Sequence, residues 1–394
     1  MTNWPPWTAA TQCVPDATSG FSPLDRELGL LPGTPLLPLT QEFLVRLATW
    51  MPFARAAELC SETMRMTVSK ETAHRLTLTV GGALVEAEDA AVDHLFATSP
   101  EPTATPVEHQ QISVDGAFIP LIGEWAEVKT VAIGTIHQGK DGPKATDLSY
   151  FSRLADHQRF SRQATLETHR RATDKATQVT AVVDGADWIQ EMLDLHCPRA
   201  TRVLDWAHGS SYISGAAQAL FREAGQAADW RAEQLNRLMH GDPEDVLVAL
   251  CEGLTGCILG SEEEATIRAS LGYLARRSAQ IQYCRFREAG LPIGSGIVES
   301  ANKLVMEVRL KGAGMRWLRT NADPMLALRA TVCSANRWAT TWALIERYRL
   351  RRCAESARAA HDAKHPPPPL PTHTRKRRPF REFSLHPSRR PAKT

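Results

Sequence analysis

The chain has 394 residues, enough for one large domain with appendages or for two to three smaller ones, and long enough to bury a sizeable core. Its 46 Lys+Arg against 44 Asp+Glu leave a net of +2, which by itself does not mark a nucleic-acid binder. Eight cysteines with no CxxC pair and no CxxC…HxxxH spacing signal neither a zinc module nor a disulfide framework. No run approaches the roughly 18 apolar residues of a membrane span, and the start MTNWPPWTAATQC lacks a basic segment followed by an apolar one. The expectation is a soluble, cytoplasmic protein with no membrane partner.

Residues 1–35, rich in Pro, Gly and Thr, read as an irregular leader. Residues 36–99 are helical in propensity almost throughout. Within them PFARAAELC and SKETAHRLTLTV predict two short helices joined by a turn, with Ser69 as N-cap of the second. Ala73, Leu76 and Val80 would face inward and Lys70, Thr72, His74 and Arg75 outward. That pattern fits a helix-turn-helix with its second helix in a major groove, Lys70 and Arg75 among its DNA contacts. It fits equally a small helical bundle that touches no DNA.

PEPTATPVEHQ (100–110) is a linker by its proline and polar content. QISVDGAFIPL and EWAEVKTVAIGTI then predict consecutive antiparallel strands, and residues from about Tyr150 to Thr177 a charged helix. TQVTAVVDG reads as a strand buried on both faces, DWIQEMLDLHC as a helix and ATRVLDWAH as a further strand. Three strands, a helix, a strand, a helix and a strand make a mixed α/β sheet over 111–211. Residues 212–290 are almost all helix, with Asp242-Pro243-Glu244 and Ser261 before three glutamates as helix starts; so long a block predicts an inserted helical subdomain. LPIGSGIVESANKLVMEVRLKGAGMRW resumes the core over 291–364, with helices from Asp323-Pro324 to about Lys364. The tail, 365–394, has eight Lys/Arg and one acid, a net +7 that leaves −5 for the rest. Its prolines and lack of apolar periodicity predict disorder, and its charge either a contact with phosphates or a solvated tail.

Two aspartates stand at predicted strand ends before glycine, Asp115 in SVDGAF and Asp184 in VVDGAD. Buried carboxylates on neighbouring strands repel, and a divalent cation resolves the repulsion; Mg²⁺ suits oxygen donors and keeps positions for water and phosphate. Taken singly, each Asp-Gly is also a common turn dipeptide. A third acid is expected on a helix beside those strands, and Glu299, just inside the helix opened by Gly294-Ser295-Gly296, is the best placed. On that helix Ile297, Ala301, Leu304, Val305 and Val308 form the predicted apolar face, with Glu299, Asn302, Lys303, Met306 and Arg309 on the other side. A first-turn glutamate on a solvated face, favoured by the helix dipole, is the alternative reading of Glu299.

The series SVDGA…EWAEVK…VVDGADWI…VLDWAH…IGSGIVESANK…RLKGAGMRW resembles the DDE transposases of bacterial insertion sequences, closest to the ISKra type and more distantly the Mutator-like group. The resemblance spans roughly Gln111 to Trp317, and SGIVESANK and KGAGMRW are its most specific parts. It implies a ribonuclease H-like core with a helical insertion before the glutamate, and Asp115, Asp184 and Glu299 as a catalytic triad holding two Mg²⁺ or Mn²⁺ ions. Implied too are Asp205 and His208 as accessory residues of an Asp-x-x-His motif, and two-metal phosphoryl transfer that cuts element ends and joins them to target DNA. The partners would be double-stranded DNA and further copies of the chain. Lys303, Arg309, Lys311 and Arg316 would hold the DNA backbone and Trp317 stack on an unpaired base, or they form a solvated basic face and a core tryptophan. Trp125, Glu127 and Lys129 match the family's block without an assigned chemistry. The same triad would serve a ribonuclease H-like nuclease without strand transfer, and the same fold a decayed DNA-binding protein.

Overall fold

Alternating apolar residues build the centre of the molecule. In the computed structural model, which describes residues 36–140 and 142–364, three strands form an antiparallel meander: β1 (His109–Pro120), β2 (Trp125–Gly139) and β3 (Gly142–Arg153). β4 (Gln178–Val183) lies parallel to β1, and β5 (Thr201–Leu204) parallel to β4, so the five-stranded mixed sheet has the order β3-β2-β1-β4-β5. This α/β arrangement is compatible with a ribonuclease H-like core. The predicted helix over 150–177 is shorter than expected, because Tyr150–Arg153 still pair with β2.

The helices that precede and interrupt the sheet are α1 (Pro38–Trp50), α2 (Phe53–Met64), α3 (Lys70–Thr98), α4 (His157–Arg170) and α5 (Asp187–His196). Helices α6 (Trp206–Leu220), α7 (Ala224–His240), α8 (Pro243–Gly256), α9 (Ser261–Arg276) and α10 (Tyr283–Glu288) form the block between β5 and the last part of the core. That part holds α11 (Gly296–Ala301), which runs on through a π-helical turn, Asn302–Glu307, to Leu310. α12 (Arg319–Cys333) and α13 (Trp338–Lys364) close the described chain.

Both faces of the sheet are covered, as the apolar run of β4 requires. On one face Ile112, Val114, Val131, Ile133 and Val183 pack with Phe160 and Ala164 of α4 and Ile189, Met192 and Leu193 of α5. On the other Ala132 and Tyr150 meet Val298, Ala301 and Val305 of the α11 segment and Ala330 of α12. Val182, Val203 and Leu204 also belong to the core of the inserted block, with Ile213, Leu238, Leu250, Ile267, Leu274 and Tyr283, so that block is welded to the β4–β5 edge. Its α8 is capped by Asp242, whose carboxylate accepts from Glu244 N at 3.0 Å. α9 starts at Ser261 as predicted, with Gly260 as the cap residue and Glu262, Glu263 and Glu264 in its first turn.

Ser69 caps α3 as predicted, accepting from Thr72 N at 3.1 Å, and Ala73, Leu76 and Val80 are buried. The helix is not short, however; it runs 29 residues because its inner face continues through Leu84, Ala87 and Val92. Nor do the N-terminal helices have a core to themselves. Leu44, Val45, Cys60, Leu76 and Leu84 share one with Leu328 of α12 and Trp338, Trp342 and Ile345 of α13. The approach of α3 to α12 is so close that a Cβ on Gly81 would lie 2.4 Å from the Pro324 carbonyl oxygen. α12 starts at Arg319, not at the predicted Asp323-Pro324, and takes Pro324 inside the helix, where it removes one N–H from the ladder. Meanwhile Asp323 turns to accept from Leu154 N at 2.7 Å.

Contacts divide the chain into a unit ending at Leu350 and another from Arg351 on; within the second, α13 continues to Lys364. The leader over 1–35 and the basic tail over 365–394 lie outside the described residues. No helix among the described residues is long and apolar enough to cross a membrane.

Candidate active site

β1 pairs with β4 only from His109↔Gln178 to Ile112↔Ala181. Three residues further along each strand stand Asp115 and Asp184, level with each other where the pairing stops. The chain leaves β1 toward β2 on one side and enters β4 from the other, and at such a switch point the carboxyl ends of strands open a crevice for ligands.

Asp115 is not at a strand end, as its Asp-Gly suggested. β1 continues to Pro120, with Asp115 opposite Thr130 and Gly116 opposite Lys129 on β2. Its Oδ1 accepts from Gly116 N at 2.8 Å and its Oδ2 from Asn302 Nδ2 at 2.8 Å. Asp184 does leave its strand: Oδ1 accepts from Ala186 N at 2.8 Å, and Gly185 takes φ +81°, the left-handed region that glycine supplies without strain.

Glu299 reaches the same place from the opposite layer, because the loop before α11 is tied down at three points. Gln111 Nε2 donates to Gly294 O at 3.0 Å, Trp206 N to Ile293 O at 3.0 Å, and Ser295 N to Asp205 Oδ1 at 2.7 Å. Within the first turn Ser295 Oγ stands 3.4 Å from Glu299 Oε1. Asp205 also caps α6, its Oδ2 accepting from His208 N at 3.1 Å, so both oxygens serve backbone donors. His208 lies in the first turn of that helix instead of closing a strand.

The buried face of the Glu299 helix differs from the predicted one. Val298, Ala301, Asn302, Val305, Met306, Arg309 and Leu310 are buried, whereas Val308 is exposed. The set keeps helical spacing but is displaced by one position, because the tight packing at Val298 and Ala301 against Ala132 decides the rotation. The π turn then loosens the ladder. Its Leu304 and Val305 carbonyls accept from the Arg329 guanidinium, the second at 3.1 Å. This brings Asn302, one turn after Glu299, to Asp115.

Burial pushes the Asp115 carboxyl above the ordinary carboxylate range; the Gly116 amide opposes this, the charges of Asp184 and Glu299 add to it, and His208 opposes it. Three carboxylates are thus near enough to act on one another, and none has a lysine or arginine partner among the described residues. Asn302 Oδ1 is buried beside them with no hydrogen-bond partner. Hard oxygen donors and an unmet acceptor suit a divalent cation. Among the described residues no three His, Cys, Asp or Glu stand close enough together to hold a metal ion by themselves.

The remaining predicted residues fall into two groups. Lys303 and Arg316 are exposed, and Lys311 pairs with Glu307 at 2.8 Å. Lys70 and Arg75 line a concavity of about 550 Å³ with Phe53, Thr72 and His74. Arg309 and Trp317 lie inside instead. Arg309 is 2% exposed, donates to Ala48 O at 3.0 Å and lies 4.8 and 5.2 Å from the Phe53 and Trp317 ring centroids, leaving no surface for a phosphate. Desolvation lowers its guanidinium pKa to about 10. Trp317 packs with Ile119, Leu121 and Met306, which removes it from base stacking.

Lys129 is buried and donates to Glu127 Oε2 at 2.7 Å and Ala155 O at 3.3 Å, a tie on the sheet face opposite Asp115. Trp125 stays exposed. Asp187 and Asp194 each accept from an arginine, Arg277 at 3.2 Å and Arg202 respectively. The site residues that the sequence did not single out are Gln111, Asn302, Tyr273 and Arg277. For Asn302 the i+3 spacing from Glu299 was a usable signal; for the others only the fold brings distant segments together.

Compared with known protein families and with curated proteins, the sequence matches none.

Proposed function

We propose that the protein is a DDE transposase that cuts DNA at the ends of an insertion sequence and joins them to a target. The observation that carries this reading is the gathering of Asp115, Asp184 and Glu299, from two parallel strands and a facing helix, without a cationic partner. Asp115 feels the charge of both others. A sheet of order β3-β2-β1-β4-β5 with the acids at the switch point is the arrangement expected of a ribonuclease H-like nuclease core. The all-helical insertion before Glu299 agrees with the resemblance in the sequence.

Asp115, Asp184 and Glu299 would hold Mg²⁺ or Mn²⁺, with Asn302 Oδ1 beside them. Bound there, divalent ions supply Lewis acidity toward a phosphodiester oxygen and lower the pKa of a coordinated water or 3′-hydroxyl. The chain's own part is positioning. Gly116 N and Asn302 Nδ2 orient the Asp115 carboxylate, Ala186 N orients Asp184, and Asp205 fixes the loop that presents Glu299. The exposed His208 is close enough to act on Asp115, and its imidazole would be available there to a phosphate oxygen. Lys303, on the exposed face of the Glu299 helix one turn on, and Arg316 offer cations to the DNA backbone. Lys70 and Arg75, at the start of α3, offer a second contact with duplex DNA.

The test is the purified full chain with pre-cut element-end DNA, Mg²⁺ and a supercoiled target. Joined products are expected, and Asp184→Ala should abolish them. Nicking without joining would make the protein a nuclease only, and DNA binding without either reaction would overturn the catalytic reading.

A further inference from the structure

The backbone that carries Asp184 is gripped by the helical insertion. Asp184 and Gly185 form the turn between β4 and α5, and both of their carbonyl oxygens accept from α9 and its end. The Tyr273 hydroxyl donates to the Asp184 carbonyl. Arg277 donates to the Gly185 carbonyl through Nε at 2.9 Å and also through Nη2, which lies 3.2 Å from Asp187 Oδ1 as well.

The donors are themselves fixed. Tyr273 stacks on Tyr212 of α6, centroids 4.0 Å and planes 16° apart, and the Arg277 guanidinium lies 4.0 Å from the Tyr273 ring centroid. Arg277 is buried. Gly185 has no room for a side chain: a Cβ would stand 2.5 Å from Arg277 Nε and 2.6 Å from the Tyr273 hydroxyl.

One peptide unit connects this grip to the carboxylate. The Gly185 carbonyl that Arg277 holds and the Ala186 N–H that donates to Asp184 Oδ1 belong to the same planar group. Fixing the oxygen fixes the direction of the N–H, and a charged donor on the oxygen polarises the peptide so that the N–H binds the carboxylate more strongly.

We propose that Tyr273 and Arg277 are positioning residues for Asp184, through which the insertion sets the affinity of the acid cluster for a divalent cation. The inference rests on reading that cluster as a metal site. Outer partners of metal ligands are worth about 10- to 100-fold in affinity.

Titration calorimetry of Mn²⁺ into the full chain, without DNA, tests it. Tyr273→Phe keeps the stacked ring and removes only the hydroxyl, and Arg277→Gln removes the fork. Each is expected to weaken Mn²⁺ about 10- to 100-fold. Arg268→Gln, on the same helix but in an exposed pair with Glu264, is expected to match the unmodified chain. If Asp184→Ala loses Mn²⁺ while Tyr273→Phe and Arg277→Gln bind within twofold of the unmodified chain, the positioning role alone falls. It falls too if Arg268→Gln weakens binding as much as they do. If the unmodified chain binds no Mn²⁺, or Asp184→Ala binds it equally well, the metal site fails and takes the proposed function with it.

Discussion

Two groups of acids in this fold have opposite surroundings: Glu88 and Glu167 are buried, whereas Asp115 and Asp184 are half-buried and Glu299 is exposed. Glu88 of α3 and Glu167 of α4 are buried and met by arginines: Glu88 by Arg153 and by Arg170 at 3.0 Å, Glu167 by Arg337 and by Arg170 at 3.7 Å. Burial pushes the Glu167 carboxyl up, but Arg337 and Arg170 together hold it below its ordinary range. Asp115, Asp184 and Glu299 have backbone and amide donors only, and burial with mutual repulsion raises Asp115. The first group is neutralised from within and joins α3 and α4 to β3 and to Arg337. The second, on the proposed function, would be neutralised by a divalent cation. The two groups thus differ both in local charge balance and in depth.

That contrast breaks most sharply if the two groups respond alike to mutation. Asp184→Ala or Glu299→Ala is expected to lower DNA cleavage by about 10³-fold or more, because several kcal/mol of transition-state stabilisation depend on the ions held there. Urea unfolding of the same variants should show no loss of stability.

Glu167→Gln should do the reverse. Leaving the part-buried Arg337 without its carboxylate is expected to cost about 3 kcal/mol by urea unfolding at pH 7. Glu167 sits below its unfolded value, so its contribution is present above about pH 4.3 and is lost as pH falls through the folded pKa. The penalty of Glu167→Gln should shrink along that same path.

A smaller effect is expected at Asn302, which orients Asp115 at 2.8 Å. Asn302→Ala should reduce Mg²⁺-dependent cleavage about 10- to 100-fold, with the loss concentrated in the Mg²⁺ concentration needed for half-maximal rate. A change in maximal rate alone would count against an orienting role.

The smallest effect has the sign that separates the groups. Asp115 is raised in the fold, so its ionisation destabilises the metal-free chain as pH rises through the folded pKa. In EDTA, Asp115→Asn should therefore melt at a higher temperature than the unmodified chain at pH 7. The gap should close as pH falls toward about 3.9. The carboxamide that Asp115→Asn introduces can also donate to the unmet Asn302 Oδ1. A lower melting temperature at pH 7 would show that the acids are not in conflict.

Much of the site was legible because it lies in short stretches with local signatures. β4 is an apolar run that ends on Asp184, and the alternation in β1 carries Asp115 with it. The cap at Ser69 and the acids at the start of α8 are equally local. Periodicity misled where packing overrode it. A one-position rotation of the Glu299 helix turned Arg309 and Met306 inward and Val308 outward. Asp-Gly at 115–116 read as a strand end, but pairing with β2 carries the strand on to Pro120.

The sequence by itself determined the order of the elements, the long helical block between β5 and Glu299, and the three acids on which a metal reading rests, because side-chain periodicity, Asp-Gly dipeptides and helix-start residues are properties of contiguous residues. Only the tertiary structure decided which groups hold those acids in place. Asn302 on Asp115, Asp205 on Ser295, and Tyr273 with Arg277 on the Asp184 turn join residues about 90 to nearly 190 positions apart. A hydrogen bond at 2.8 Å is set by where layers meet, and no local pattern along the chain records that meeting.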